Sequence, residues 1–299
     1  MEVLLQVLIG GVLLGGLYAL VAFGLSLIYG VVRILNFAHG TLLAVSGVAA
    51  SLAFATWQLH PVLIAVLLAP LLGALAYGYY HLLLKPLAQR NHFEGTVGTV
   101  LVTVGTLMVL SDLTAKAAGA TQRNIPVRLE ALEFGDIVVS TVQLLILGGI
   151  ALLTLVMHLI LKKTWFGRAI RAVTQEPVGA QICGVQSTRM KALTFAFGSA
   201  TVALAAVMYV LSFPVDPTMG FSLTVKAFTI IVVGGIGNLP GALLAGVFLG
   251  VAEGLTGLYW KPEWAPALSV VLMLAILVAR PRLAGAKCCL LYTSPSPRD

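Results

Sequence analysis

The sequence predicts an all-α fold, a polytopic transmembrane helix bundle of about eight to nine spans with one discontinuous or re-entrant helix. Three observations carry the prediction. Of 299 residues, 59% are hydrophobic and 10% charged, with a mean hydropathy of +1.01, whereas soluble domains run to about a quarter charged residues. Apolar tracts such as Val3–Tyr29, Pro61–Leu84 and Val139–Leu161 reach the ~20 helical residues needed to cross a hydrocarbon core. No sustained period of two runs through them, which argues against the alternating strands of a β-barrel.

Taken in order, spans are expected near residues 4–30, 38–57, 62–84, 96–114, 140–161 and 190–212, then a shorter one at 222–236, then 241–258 and 265–280. The first has no basic segment ahead of it and no convincing cleavage site, so it is expected to be a retained span. It is long enough to hide a break at Gly10-Gly11 or Gly15-Gly16. Segment 222–236 is too short to cross comfortably and runs into Gly234-Gly235-Ile236-Gly237-Asn238-Leu239-Pro240-Gly241, which is the reason to expect a discontinuous helix there.

Simple alternation of these spans places Arg33, Lys85, Arg90, Lys162, Lys163, Arg168, Arg171, Arg189, Lys191, Arg280, Arg282 and Lys287 on one side. By the positive-inside rule that side is cytoplasmic, with the N-terminus outside and the C-terminus inside. The opposite side dilutes Lys116, Arg123 and Arg128 with Glu130, Glu133 and Asp136, and adds Asp216 and the Lys261–Glu263 pair. The net charge of +7 is therefore a matter of membrane topology, and no basic run points to nucleic acid.

Residues 1–288 read as one transmembrane domain with a cytoplasmic loop at 162–189. Residues 289–299, Cys289 to Asp299, read like the translation of a commonly used sequencing adapter. They are set apart from the biology, and the native C-terminus is expected to be missing. Cys288 abuts that junction, which leaves Cys183 as the securely native cysteine and implies neither a disulfide nor a metal cluster.

Small residues recur at helix-packing spacing: Gly11 with Gly15, Gly237 with Gly241, and Gly246, Gly250 and Gly254 in succession. In lipid, close backbone contact supplies the packing energy, so these mark helix interfaces. The spacing does not say whether the interfaces lie within the chain or against a partner. An internal echo, given one gap, links the stretch from Asn36 to Ala44 with the stretch from Asn238 to Ala245. Paired breaks of this kind are a pointer to a substrate site at the membrane midplane, although chance similarity among Gly/Ala/Leu-rich helices is the simpler reading of the echo by itself.

The loop 162–189 has short amphipathic helical character: Ala169, Ile170, Ala172 and Val173 alternate with Arg168, Arg171 and Glu176. It reads either as a loop lying on anionic lipid or as a surface helix docking into another protein. Polar residues within the spans are Asn36, His39, Lys226, Glu253 and, at an edge, Arg33. Arg33 and Lys226 lie near span ends, where snorkelling to the interface is open to them. Glu253 sits in an otherwise apolar helix and costs several kcal/mol unpaired, so it is expected to line a path or to pair with a cation.

The stretch from Gly167 to Val185 resembles the cytoplasmic coupling loop of permease subunits in bacterial ABC importers. Three further segments resemble the branched-chain amino acid subfamily: Leu35-Asn36-Phe37-Ala38-His39-Gly40, Lys226 to Thr229 with Val233 to Ala242, and Leu249 to Glu253. The resemblance covers residues 1 to about 285, and related permeases for urea and short amides share much of it. It implies a multi-pass subunit of the bacterial inner membrane. It also implies a second permease subunit, a homologous heterodimer partner, together with two cytoplasmic ABC ATPases and a periplasmic substrate-binding protein. The chain has no Gly-x-x-x-x-Gly-Lys-Ser/Thr phosphate loop, so ATP and Mg are expected to be used by the partners and no cofactor by this chain.

Within that resemblance Gly167, Arg168, Arg171, Glu176, Pro177, Ala180 and Gly184 are the expected ATPase-coupling residues. Arg171→Glu is expected to leave the protein in the membrane and uncouple hydrolysis from uptake. The expected translocation path comprises Asn36, His39, Gly234, Gly235, Gly237, Asn238 and Glu253, with free backbone N–H groups near Gly234–Gly237 available to a zwitterion. No catalytic residue and no metal ligand is expected. An autonomous secondary transporter or channel is disfavoured because it needs no docking loop, and a membrane enzyme because no convergent acid–base or metal-ligand set appears.

Overall fold

The computed structural model describes residues 2–88, 92–127, 132–134, 137–260 and 262–279. In chain order the helices are α1 (Glu2–Val32), α2 (His39–Trp57), α3 (Pro61–Tyr79), which continues through a π-helical turn at Tyr80–Leu84 into α4 (Lys85–Ala88), and α5 (His92–Ala118). A two-residue-linked antiparallel hairpin, β1 (Leu132–Phe134) and β2 (Ile137–Val139), precedes α6 (Thr141–Lys163). Two short helices, α7 (Trp165–Gln175) and α8 (Pro177–Ile182), lead to α9 (Ser187–Ser212), α10 (Gly220–Gly234), α11 (Leu239–Tyr259), a 3-10 turn at Pro262–Trp264, and α12 (Ala265–Ala279). Arg90, Arg128, Glu130, Asp136, Lys261, Arg280, Arg282, Lys287 and the segment 289–299 lie outside the described residues.

Seven of the nine expected spans are helices long and apolar enough to cross a membrane. The other two, α10 and α12, are helices of 15 residues each. At 1.5 Å per residue α10 extends about 22 Å, short of a ~30 Å hydrocarbon core; α12 is described only as far as Ala279. The short helix expected at 222–236 is therefore present as α10, turned directly into α11.

The possible break in the first span is not found: α1 runs unbroken from Glu2 to Val32. Gly11 and Gly15 serve packing instead of a kink. A Cβ on Gly11 would stand 2.8 Å from Val251 Cα, and one on Gly250 would collide with the backbone of Gly11 and Gly15. The glycine rows of α1 and α11 thus interlock within the chain. The actual interruption follows α1, where Arg33 takes a left-handed backbone (φ 59°) and an extended segment turns back into the bundle. His39, the first residue of α2, reaches Val21 of α1. Val21 lies eleven residues before the end of α1, about 16 Å along the axis.

Two more backbone crossings hold the centre. Gly24 of α1 meets Gly198 of α9, where either Cβ would come within 2.7 Å of the opposite carbonyl oxygen, and Gly40 of α2 meets Gly220 of α10. The core therefore sits around α1, with α9, α10 and α11 against it. On the periphery, α3, α5 and α6 turn Leu67, Leu71, Leu101, Val109, Leu145 and Leu152 outward, the surface that lipid covers.

Candidate functional site

Deep between α1, α10, α11 and α12 lies a node of four polar side chains. Lys226 Nζ is 2.8 Å from Glu253 Oε2 and donates to the Tyr18 hydroxyl at 2.8 Å. That hydroxyl donates to the same carboxylate oxygen at 3.2 Å, and Ser269 Oγ donates to Glu253 Oε1 at 2.8 Å. The ammonium also stands 4.6 Å from the Tyr18 ring centroid, within cation–π range. Thr229 Oγ1 donates to the Ser269 carbonyl at 3.3 Å, which ties α10 to α12.

Both carboxylate oxygens are engaged, as a charge removed from water requires. Lys226 is 9% exposed and Glu253 5%. Lys226 therefore does not snorkel to the interface, because its ammonium finds an anion inside the bundle. The cation expected beside Glu253 is Lys226. Tyr18 and Ser269 escape a sequence reading, since each is an ordinary member of an apolar helix and only the packing brings them to the carboxylate.

The other residues expected to line a path lie where α1 passes into α2 and where α10 turns into α11. Asn36 Oδ1 accepts from Ala38 N (3.1 Å), shaping the turn into α2, and Asn238 Oδ1 accepts from Gly241 N (3.3 Å) at the start of α11. The two Asn segments therefore differ: Asn238 caps α11, whereas Asn36 bonds the turn before α2, whose own N-cap, Ala38, has no side-chain cap. Buried His39 donates from Nε2 to Val21 O (3.1 Å), and its Nδ1 has no partner. Beside it, Thr224 Oγ1 accepts from Gly40 N at 2.9 Å and lies 2.9 Å from Phe37 O, locking α2 to α10.

Gly234 abuts Gly241, so closely that a Cβ would lie 2.5 Å from the Gly241 carbonyl carbon. Gly235 (φ 89°) and Gly237 (φ 76°) make the α10–α11 turn in a backbone region closed to most side chains. Three N–H groups of this turn are engaged. Gly235 N donates to Ile231 O (2.9 Å), Gly237 N to Ser26 Oγ (2.7 Å) and Asn238 N to Gly235 O (3.3 Å). Gly237 has no close neighbour at its Cβ position, so the Gly237/Gly241 spacing marks a turn and not an interface.

The loop between α6 and α9 is ordered as α7 and α8. The apolar face of α7, Ala169, Ile170 and Val173, is buried in a cluster with Ile28, Val31, Val32, Tyr80 and Phe195. Docking of that face is therefore intramolecular. Thr164 caps α7 by accepting from Gly167 N (3.3 Å), and Gly167 lies on the Leu161 backbone where a side chain would clash. Arg171 donates to Leu161 O at the end of α6, a cation on the negative end of a helix.

Glu176 accepts from Val178 N at 3.2 Å, capping α8, and Pro177 opens that helix. Ala180 is buried, and its carbonyl accepts from Val185 N (2.9 Å) across Gly184 (φ 84°), a Schellman-type helix end. Exposed on this segment are Trp165, Arg168, Arg171, Gln175, Glu176, Val178, Gln181, Ile182 and Cys183. A cavity of about 320 Å³, lined by Ser26, Gly30, Ile170, Arg171, Ile236 and Gly237, separates α7 from the α10–α11 turn.

A helical membrane bundle with a charged node at its core and a structured helical loop at the basic end has the build of a transport permease. Comparison with known proteins makes the class specific. The family described as "Branched-chain amino acid transport system / permease component" matches residues 7–277. The high-affinity branched-chain amino acid transport system permease protein BraD of Pseudomonas aeruginosa is 30% identical, over 93% of this chain and 94% of its own. LivH of Escherichia coli, of the same description, is 29% identical over the same shares. A LivH-named relative from Methanocaldococcus jannaschii is 26% identical over 92% and 90%. The chain belongs to the family of branched-chain amino acid transport system permease components, as a multi-pass membrane protein.

Proposed function

We propose that this chain is the membrane-spanning permease subunit of an ATP-binding-cassette importer that carries branched-chain or similar small amino acids across the inner membrane. The observation that carries the reading is the match to BraD and LivH over nearly the whole chain, which spans every described helix. In this reading the chain performs no hydrolysis. Two cytoplasmic ATPases use ATP and Mg, a second, homologous permease completes the pathway, and a periplasmic protein delivers substrate.

The stroke enters through α7 and α8. Val178 and Ile182 are 65% and 83% exposed on α8 and, with Arg168, form the free surface an ATPase would grip. Gly167, Arg171, Glu176, Pro177, Ala180 and Gly184 act one step behind that surface, as the caps and turns that hold α7 and α8 rigidly on the bundle. Movement of α7 is passed to the α10–α11 turn across the cavity that both line, and from there to the path. Asn36, His39, Gly234, Gly235, Gly237, Asn238 and Glu253 border that path. Asn238 does so as the cap of α11 and Asn36 as the side chain that shapes the turn into α2.

The test is the ligand profile of the binding protein that stimulates the reconstituted importer, screened with leucine, isoleucine, valine, urea and short amides. The reading predicts tight binding of the three amino acids. Binding of urea or an amide in their place would overturn the substrate class.

A further inference from the structure

Four observations about the node at Glu253 go beyond a buried ion pair that merely closes. The two charges come from the two arms of one hairpin, Lys226 from α10 and Glu253 from α11, joined at a turn that contains two glycines of positive φ. The other donors to the carboxylate come from α1 and α12, so a shift of α10 alone removes the Lys226 contact while Tyr18 keeps Oε2 and Ser269 keeps Oε1. Next, one helical turn from each charge stands a buried leucine: Leu223 precedes Lys226 by three residues and Leu249 precedes Glu253 by four, on the same faces. Last, a buried ion pair gains little stability over an apolar pair of equal volume, so its presence in a predominantly apolar core calls for another use.

From these we infer that Lys226 and Glu253 are the substrate-recognition pair of the path, closed on each other in the empty state. An α-amino acid zwitterion exchanges into the pair, its carboxylate on Lys226 and its ammonium on Glu253. The inference rests on the amino acid reading above and adds the residues that recognise the substrate's head. No bond is made or broken beyond hydrogen bonds, and no charge is left unpaired at either end of the exchange. Tyr18 holds the ammonium and carboxylate in line, and Ser269 keeps the carboxylate oriented when Lys226 leaves. Leu249, one helical turn toward the α10–α11 turn, and Leu223, one helical turn away from it, flank the pair on its two sides. Opening requires the pair to widen by roughly 5 Å, because two charge-assisted bonds of about 2.8 Å and the ligand's own span replace one such bond. The α10–α11 turn is the hinge that allows it, and the cavity beneath that turn links it to α7.

The test uses the complete importer, co-expressed with its partner subunits and reconstituted into proteoliposomes with its binding protein, and measures uptake of labelled leucine. The first variant is the apolar pair Lys226→Met/Glu253→Leu, which keeps volume and removes both charges. The second is the swap Lys226→Glu/Glu253→Lys, which keeps a pair with its polarity reversed. Expected is assembly of both with the ATPase subunits at wild-type yield, and leucine uptake at least tenfold below wild type in each. Wild-type uptake by either assembled variant would overturn the inference. So would loss of assembly in the apolar pair, because the pair would then be structural. The substrate reading fails separately: wild-type proteoliposomes that carry urea or a short amide and not leucine would sink it whatever the variants do.

Discussion

The node at the centre of the bundle and the α7–α8 loop at its basic end use charge in opposite ways. Around Glu253, charges point inward and satisfy one another, and the glycines outside them let four helices close. In α7 and α8 the charged residues point outward or cap helix ends, and the apolar residues point inward. The node is a place where a ligand can replace a protein contact. The loop is a rigid handle, with a small free surface at Val178 and Ile182. The difference teaches that a charge can serve the fold as a brace: Arg171 ties α7 to the end of α6, Glu176 caps α8, and Gly184 makes the turn that ends it.

The largest expected effect breaks the node on one side only. Glu253→Leu leaves the Lys226 ammonium buried without its anion, at a cost of about 3–5 kcal/mol. It is expected to lower the unfolding midpoint of the detergent-purified chain far more than Lys226→Met/Glu253→Leu does; equal losses would refute the paired-charge account. Next comes the helix contact that encloses the node. Gly250→Ala puts a methyl against the backbone of Gly11 and Gly15 and is expected to cost about 1–3 kcal/mol. Gly257→Ala, with nothing within 4 Å, is expected to be neutral or slightly stabilising. The same unfolding assay separates the two.

In the loop the effects on the bundle shrink. Glu176→Ala removes the cap of α8 and is expected to cost about 1 kcal/mol locally, read as faster amide exchange in α8, with Glu176→Asp restoring protection. The smallest effect on stability belongs to Ile182→Asp, within about 0.5 kcal/mol for an exposed site. It is nevertheless expected to reduce co-purification of the ATPase subunits several-fold. An unchanged complex would move the docking surface elsewhere.

The helices were legible from the sequence because their apolar tracts and glycine spacings are one-dimensional signals. Glu253 was legible for the same reason, as a charge within an apolar helix. Tyr18 and Ser269 were not, because a lone hydroxyl in an apolar helix has no signature until a partner is placed beside it. The continuity of α1 was also hidden. Gly10-Gly11 and Gly15-Gly16 look alike as helix breakers and as packing sites, and only α11 lying against them decides between the two. At Arg33 no residue type marked the reversal. In α7 the amphipathic pattern was correct, and the surface it packs on was supplied by the bundle itself.

The central claim is that this chain moves substrate only as part of an ATP-driven assembly. Its most direct test is uptake of labelled leucine by proteoliposomes that hold the chain with its partner subunits, compared with and without ATP and the binding protein. The account predicts uptake only when both are present. Leucine uptake driven by an ion gradient in vesicles that hold this chain alone would contradict it.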